Sequence, residues 1–234
     1  MPCQLEIKHL RFAFNKSMVI DDLTFSTNEN GIIGLLGLNG EGKSTLLKII
    51  AGILPDAGSV SFTPELSSDW HPVGYLPERP AFYPELTVNE NMAFAASLNG
   101  ISKRQQTAYI SEALKLTQLE DRQLQLAGSL SKGYQQRLGL AMAIVHKPEL
   151  LLLDEPTDGL DPQQIRETHS LVSRLAQNCC IIISSHRLDE IERLCQRIAI
   201  LHNGKIAHDV MAADTDDAHN LETLFVEITG GKPS

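Results

Sequence analysis

Residues 37–45 read GLNGEGKST and so contain the order G-x-x-x-x-G-K-[ST]. The run before them, residues 32–36 (IIGLL), is continuously apolar. That is the pattern of a strand buried on both faces of a parallel sheet. The run after them, residues 44–51, reads as a short helix closed by Gly52. A loop between a buried strand and a helix start must turn tightly. Gly37, Gly40 and Gly42 permit that turn and let the backbone N–H groups point inward. Together with the positive helix end, such groups bind phosphate oxygens. Lys43 then supplies a point charge to the β- and γ-phosphates of a nucleotide, and the Ser44 hydroxyl can ligate Mg²⁺. Leu38, Asn39, Glu41 and Thr45 complete the cradle.

Strands alternate with helices along the rest of the chain, which predicts an α/β fold around a mostly parallel sheet. Residues 4–14 alternate loosely and read as an edge strand, with 23–27 as partner. Short strands are expected at 59–62 and 73–76, buried strands at 150–153 and 180–184, and helices at 162–175 and 188–194. Residues 198–202 and 205–207 read as a hairpin turning at Asn203-Gly204. Between them the composition turns helical: 87–118, broken at Asn99-Gly100, and then 135–146. This stretch reads as an inserted helical subdomain. The segment beyond 210 is acidic (Asp214, Asp216, Asp217) and is expected to be loose at its GGKPS end.

Composition excludes several functions. The formal net charge is −9 and no stretch is dominated by Lys and Arg, so a broad nucleic-acid face is not expected. No run of 18 apolar residues occurs, and the start MPCQLEIKHL lacks signal-peptide character. A membrane role would therefore be peripheral. Cys3, Cys179, Cys180 and Cys195 show no metal-ligand spacing, and Cys179 and Cys180 read as small core residues in a reducing compartment.

Residues 150–155 read LLLLDE. An apolar strand ending in acids puts them at the carboxyl edge of a parallel sheet, where open α/β folds bind ligands. Asp154 there could hold Mg²⁺ through water, and Glu155 could position an attacking water.

Residues 130–137 (LSKGYQQR) resemble the LSGGQ signature of ABC ATPases. Lys132 stands where that family has its first glycine and Tyr134 follows the second, while Ser131 and Gly133 are kept. Residues 157–161 (TDGLD) resemble the family's D-loop, ending in Asp161, and 184–186 (SSH) its switch histidine, His186. Phe14 with Val19 matches the aromatic platform for adenine, with a core position for Phe14 as the lesser alternative. Residues 74–78 (GYLPE) match the Q-loop with Glu78 in place of glutamine; a carboxylate still offers oxygen to a hard cation. YLPE, LTVNEN and the SKG signature together resemble the subfamily serving ABC-2-type exporters.

The resemblance implies a single ABC ATPase domain over 1–234 with a P-loop NTPase (RecA-like) core. The core would cover about 1–86 and 147–210 and include an N-terminal antiparallel β subdomain, with an α-helical subdomain over 87–146 and a tail over 211–234. It also implies ATP and Mg²⁺ as ligands. The nucleotide would lie between the 37–45 loop of one copy and Ser131, Gly133 and Gln135 of a second ATP-binding subunit, in a homodimer or a heterodimer. Catalysis would fall to Glu155, His186, Lys43 and Asp161, and the metal to Ser44, Asp154 and Glu78. The implied partner is a transmembrane permease, through which this subunit would sit peripherally on the cytoplasmic side of a bacterial plasma membrane, with no nucleic acid. A non-transport ABC ATPase, in membrane-complex signalling or in translation or repair, is the competing reading.

Overall fold

The structure, a computed structural model, describes residues 4–27, 30–57, 59–63, 73–214 and 221–230. Cys3, Asp216, Asp217 and the last four residues of the GGKPS end lie outside the described residues.

A three-stranded antiparallel sheet opens the chain: β1 (Gln4–Phe14), β2 (Ser17–Ser26) and β4 (Val60–Thr63), in the order β2-β1-β4. The first strand is therefore central, not at an edge. Its loose alternation comes from register shifts between Ile7 and Leu10, Leu10 and Phe12, and Phe12 and Ala13. Bulges re-aim side chains and break a strict two-residue period. The partner strand begins at Ser17, six residues before the expected start. Its run Asp21-Asp22 hides the alternation, and Asp22 sits at positive φ opposite His9, whose Nδ1 is 3.0 Å from the Asp22 carboxylate.

The second sheet has six strands: β3 (Gly31–Leu36), β5 (Val73–Leu76), β6 (Leu150–Asp154), β7 (Cys180–Ser185), β8 (Arg197–His202) and β9 (Lys205–Met211). Their order is β5-β6-β7-β3-β8-β9, all parallel except the last pair. The three middle strands are hidden on both faces, as continuous apolar runs require. Alternate residues feed two cores. Ile33, Leu35, Leu150, Leu152 and Ile182 face helix α1 (Lys43–Ile50) and the antiparallel sheet. Ile32, Leu36, Leu151, Leu153 and Ile183 face the helical side.

That side contains α2 (Val88–Leu98), α3 (Lys103–Thr117) and α4 (Lys132–Ile144), which pack against one another. Thr87 and Glu90 form a reciprocal capping box that starts α2, and Gly100 at φ 73° ends it. Helix α4 begins three residues ahead of expectation because Ser131 already has extended N-cap geometry. Helices α5 (Pro162–Leu175) and α6 (Leu188–Leu194) match the expected bounds. The acidic tail contains a helix the sequence reading missed, α7 (Leu221–Thr229), which buries Leu221 and Phe225 against α6 and β8. Cys179 and Cys180 are buried, as a core reading requires, and Cys195 is buried as well.

Candidate functional site

Strand register assembles the site. Leu36 pairs with Ser185, and Asp154 pairs with Ser184. The 37–45 loop, the Asp154-Glu155 pair and the Ser184–His186 segment thus leave neighbouring strands at one edge of the sheet. They enclose a cavity of about 500 Å³, lined among others by Val19, Asn39, Gly40, Gly42, Lys43 and Ser44. Thr45, Glu78, Glu155, Asp158 and His186 complete its wall.

The loop glycines have separate reasons. Gly40 and Gly42 lie at φ 88° and 101°, where a side chain would be strained. Gly37 lies so close to β8 that a Cβ would come 2.7 Å from the Leu201 carbonyl oxygen. Lys43 is 6% exposed and folds over its own loop, with Nζ 2.7 Å from the Gly37 carbonyl oxygen and 3.3 Å from that of Leu38. Glu41 points away from the cavity. Its carboxylate is 3.0 Å from His202 Nδ1 and accepts the Asn203 N–H at 2.6 Å, anchoring the loop to the β8–β9 turn.

Asp154 is buried and receives three hydroxyls. Ser184 Oγ donates to it at 2.8 Å, Ser44 Oγ at 3.0 Å and the Tyr75 phenol at 3.4 Å. Burial, and then the charge of Asp154, push the Tyr75 phenol well above its ordinary value. Glu155 takes a left-handed conformation at φ 47°, and its N–H is bound by both the carbonyl and the Oγ of Ser184. That turn swings its carboxylate between Lys43 Nζ, at 3.5 Å, and His186 Nδ1, at 3.0 Å.

Other predicted residues fall elsewhere. Phe14 is 51% exposed and meets Phe12 edge to face, so it is not a core residue, and it is not among the cavity's lining. Gly133 lines a separate cavity of about 260 Å³ with Tyr134, Arg137, Asp161, Gln164 and Glu167. Ser131 caps α4 and Gln135 lies in its first turn; neither is among that cavity's lining. Asp161 accepts the N–H groups of Gln163 and Gln164, each at 2.9 Å, and so caps α5. Lys132 is exposed at the start of α4. Tyr134 is covered by the Arg122 guanidinium, 3.9 Å from its ring centre, with Arg137 at 5.4 Å.

Sequence reasoning missed Asp158, Tyr75 and a buried group around Glu190. Glu190 shares the inward stripe of α6 with Ile191 and Leu194, and a charge in that stripe was the available signal.

The conserved pattern of the ABC transporter family matches residues 20–158. The uncharacterized ABC transporter ATP-binding protein YxlF of Bacillus subtilis is 38% identical over 204 residues, which cover 87% of this chain and 69% of that protein. The bacitracin transport ATP-binding protein BcrA of Bacillus licheniformis is 38% identical over 199 residues, covering 82% of this chain and 64% of its own length. A solved ATP-binding subunit of an ABC transporter superposes with a TM-score of 0.82 at 30% identity, covering 96% of this chain and 98% of that one.

Proposed function

Because the chain belongs to the ABC transporter family as an ATP-binding subunit, we propose that the cavity at the 37–45 loop holds ATP and that Glu155 directs its hydrolysis to drive transport. The observation that carries this reading is the placement of Glu155 between Lys43 and His186 on the cavity wall. The loop N–H groups and the end of α1 attract the phosphates, and Lys43 turns from its carbonyl partners toward them. The exposed Phe14 ring, with Val19, offers a face to adenine. Glu155 orients water for in-line attack, and His186 holds the Glu155 carboxylate and faces the developing charge.

The donors fit Mg²⁺. Ser44 Oγ and Asp154 Oδ1 lie 3.0 Å apart, Glu78 lines the same cavity, and hard cations take oxygen. Among the described residues no cluster of three or more His, Cys, Asp or Glu forms, so the phosphates would complete the set. When bound there, such an ion would supply positive charge that offsets charge on the phosphate oxygens.

Ser131, Gly133 and Gln135 stand apart from this cavity. In this reading they serve the nucleotide of a second ATP-binding subunit, with the start of α4 facing its γ-phosphate, and Asp161 acts on that same face. An apolar groove of about 580 Å³, walled by Phe82, Tyr83, Phe94, Leu98 and Met142, suits a permease segment. Leu98 there is 69% exposed. Among the described residues no helix is long and apolar enough to cross a membrane. In this reading the permease holds the subunit at the cytoplasmic face. The YLPE and SKG motifs and the bacitracin transport relative favour an exporter.

The test is Glu155→Gln. We expect ATP hydrolysis to fall by about 100-fold or more with unchanged ATP affinity, and ATP to drive stable dimers seen by light scattering. Parental ATPase activity in this variant would overturn the assignment.

A further inference from the structure

Glu190 lies on α6 at 2% exposure, yet it is a carboxylate. Its Oε1 accepts the Thr157 hydroxyl at 2.6 Å and lies 2.9 Å from His169 Nε2, and its Oε2 accepts the Ser185 hydroxyl at 2.7 Å. Burial alone would raise its pKa. The bonds from His169, Thr157 and Ser185 outweigh burial and hold it below the ordinary carboxylate value. A buried charge is retained where every lone pair is answered.

The donors do not come from one neighbourhood of the chain. Thr157 lies two residues after Glu155. Ser185 immediately precedes His186 and also accepts the Arg187 N–H at 3.0 Å. His169 belongs to α5. Glu190 therefore ties together the two turns that carry the Glu155–His186 pair and fixes both to one helix. Glu155 needs such a tie, because a non-glycine residue at φ 47° persists only where its surroundings over-determine it.

We propose that Glu190 is a positioning residue for hydrolysis, holding Thr157 and Ser185 so that Glu155 and His186 keep their 3.0 Å contact. It is not among the residues lining the cavity, and it acts through the backbone of those two turns. The inference rests on the ATPase reading of Glu155 given above.

The test is made on the full chain, with kcat and KM for ATP, binding of a fluorescent ATP analogue, and urea unfolding measured in parallel. Glu190→Gln keeps one acceptor oxygen and replaces the other with an NH₂ that cannot accept, so the Thr157 and Ser185 hydroxyls can no longer both be received. We expect kcat to fall by about tenfold or more, with analogue affinity within about twofold of the parent. Thr157→Val should lose activity in the same way, and Thr157→Ser, which keeps the hydroxyl, should restore it. If Glu190→Gln does not fold, the Thr157 pair decides alone. In a His186→Ala background, Glu190→Gln should add little further loss, since the Glu155–His186 contact it maintains is already gone.

Folded variants with kcat within about twofold of the parent overturn the proposal. So does a loss that multiplies in full with that of His186→Ala. Glu155→Gln serves as the control. If it hydrolyses ATP like the parent, the reading of the site fails. If it is inactive while the Glu190 and Thr157 variants are not, only the positioning role fails.

Discussion

Ser184→Ala tests whether the sheet edge is held by the hydroxyl that stitches β6 to β7. Ser184 is fully buried. Its Oγ donates to Asp154 Oδ1 at 2.8 Å and accepts the Glu155 N–H at 3.1 Å. A hydrogen bond to a charged group contributes about 1.5–3 kcal/mol, and a buried acceptor left short of donors loses more than an exposed one. The second bond is nearly free to lose, because the Glu155 N–H keeps the Ser184 carbonyl at 3.2 Å. Asp154 also keeps Ser44 and Tyr75. The expected destabilisation is therefore about 2 kcal/mol, close to a single charge-assisted bond. Urea unfolding should show a lower midpoint at unchanged slope, and thermal melting a fall of about 4–8 °C for a chain of this size. ATPase activity should fall as well, since Asp154 and Glu155 both lose a positional restraint. A midpoint equal to the parent's would refute the reasoning, because it would mean that this hydrogen bond contributes nothing net. A drop much above 4 kcal/mol would refute it too, as only wider rearrangement of the edge gives so large a value.

Other outcomes follow from the same geometry. Gly37→Ala places a methyl 2.7 Å from a backbone oxygen of Leu201 that cannot rotate aside. It should cost about 1–3 kcal/mol in urea unfolding and weaken nucleotide binding, measured by equilibrium dialysis, by displacing the loop. Burial, with Cys180 beside it, pushes the Cys179 thiol up to about 12, and burial also raises Cys195. With Cys180 fully buried, a disulfide reagent at pH 8 should leave Cys179, Cys180 and Cys195 unlabelled in the native protein and label all three in guanidinium, as mass spectrometry of peptides would read.

Much of the fold was legible because its signals are local. Continuous apolar runs at IIGLL, LLLLD and CIIIS leave no polar face, so they can only be inner strands of a covered parallel sheet. The bounds of α5 and α6 were equally plain, α5 from its Asp161-Pro162 start. The antiparallel sheet was harder. Its bulges at Ile7–Ala13 break the two-residue period, and nothing in residues 4–14 tells a central strand from an edge. Helix α7 was hidden in an acidic tail because only two of its side chains are buried.

The residue types at the site were also readable: the glycines and lysine of the loop, the acids closing LLLLD, and the serines and histidine closing CIIISS. Each motif states which chemistry its segment brings. None states where neighbouring segments meet, because meeting depends on strand order and register, which join residues from 30 to 161 positions apart. Register alone sets Asp154 beside Ser184, turns Glu155 between Lys43 and His186, and sends the Glu41 carboxylate out to His202. The sequence by itself determined a phosphate-binding loop on a parallel sheet, through apolar runs and the glycine–lysine order. Only the tertiary structure decided which side chains share a hydrogen bond, since those contacts arise from packing between segments that carry no mark of one another.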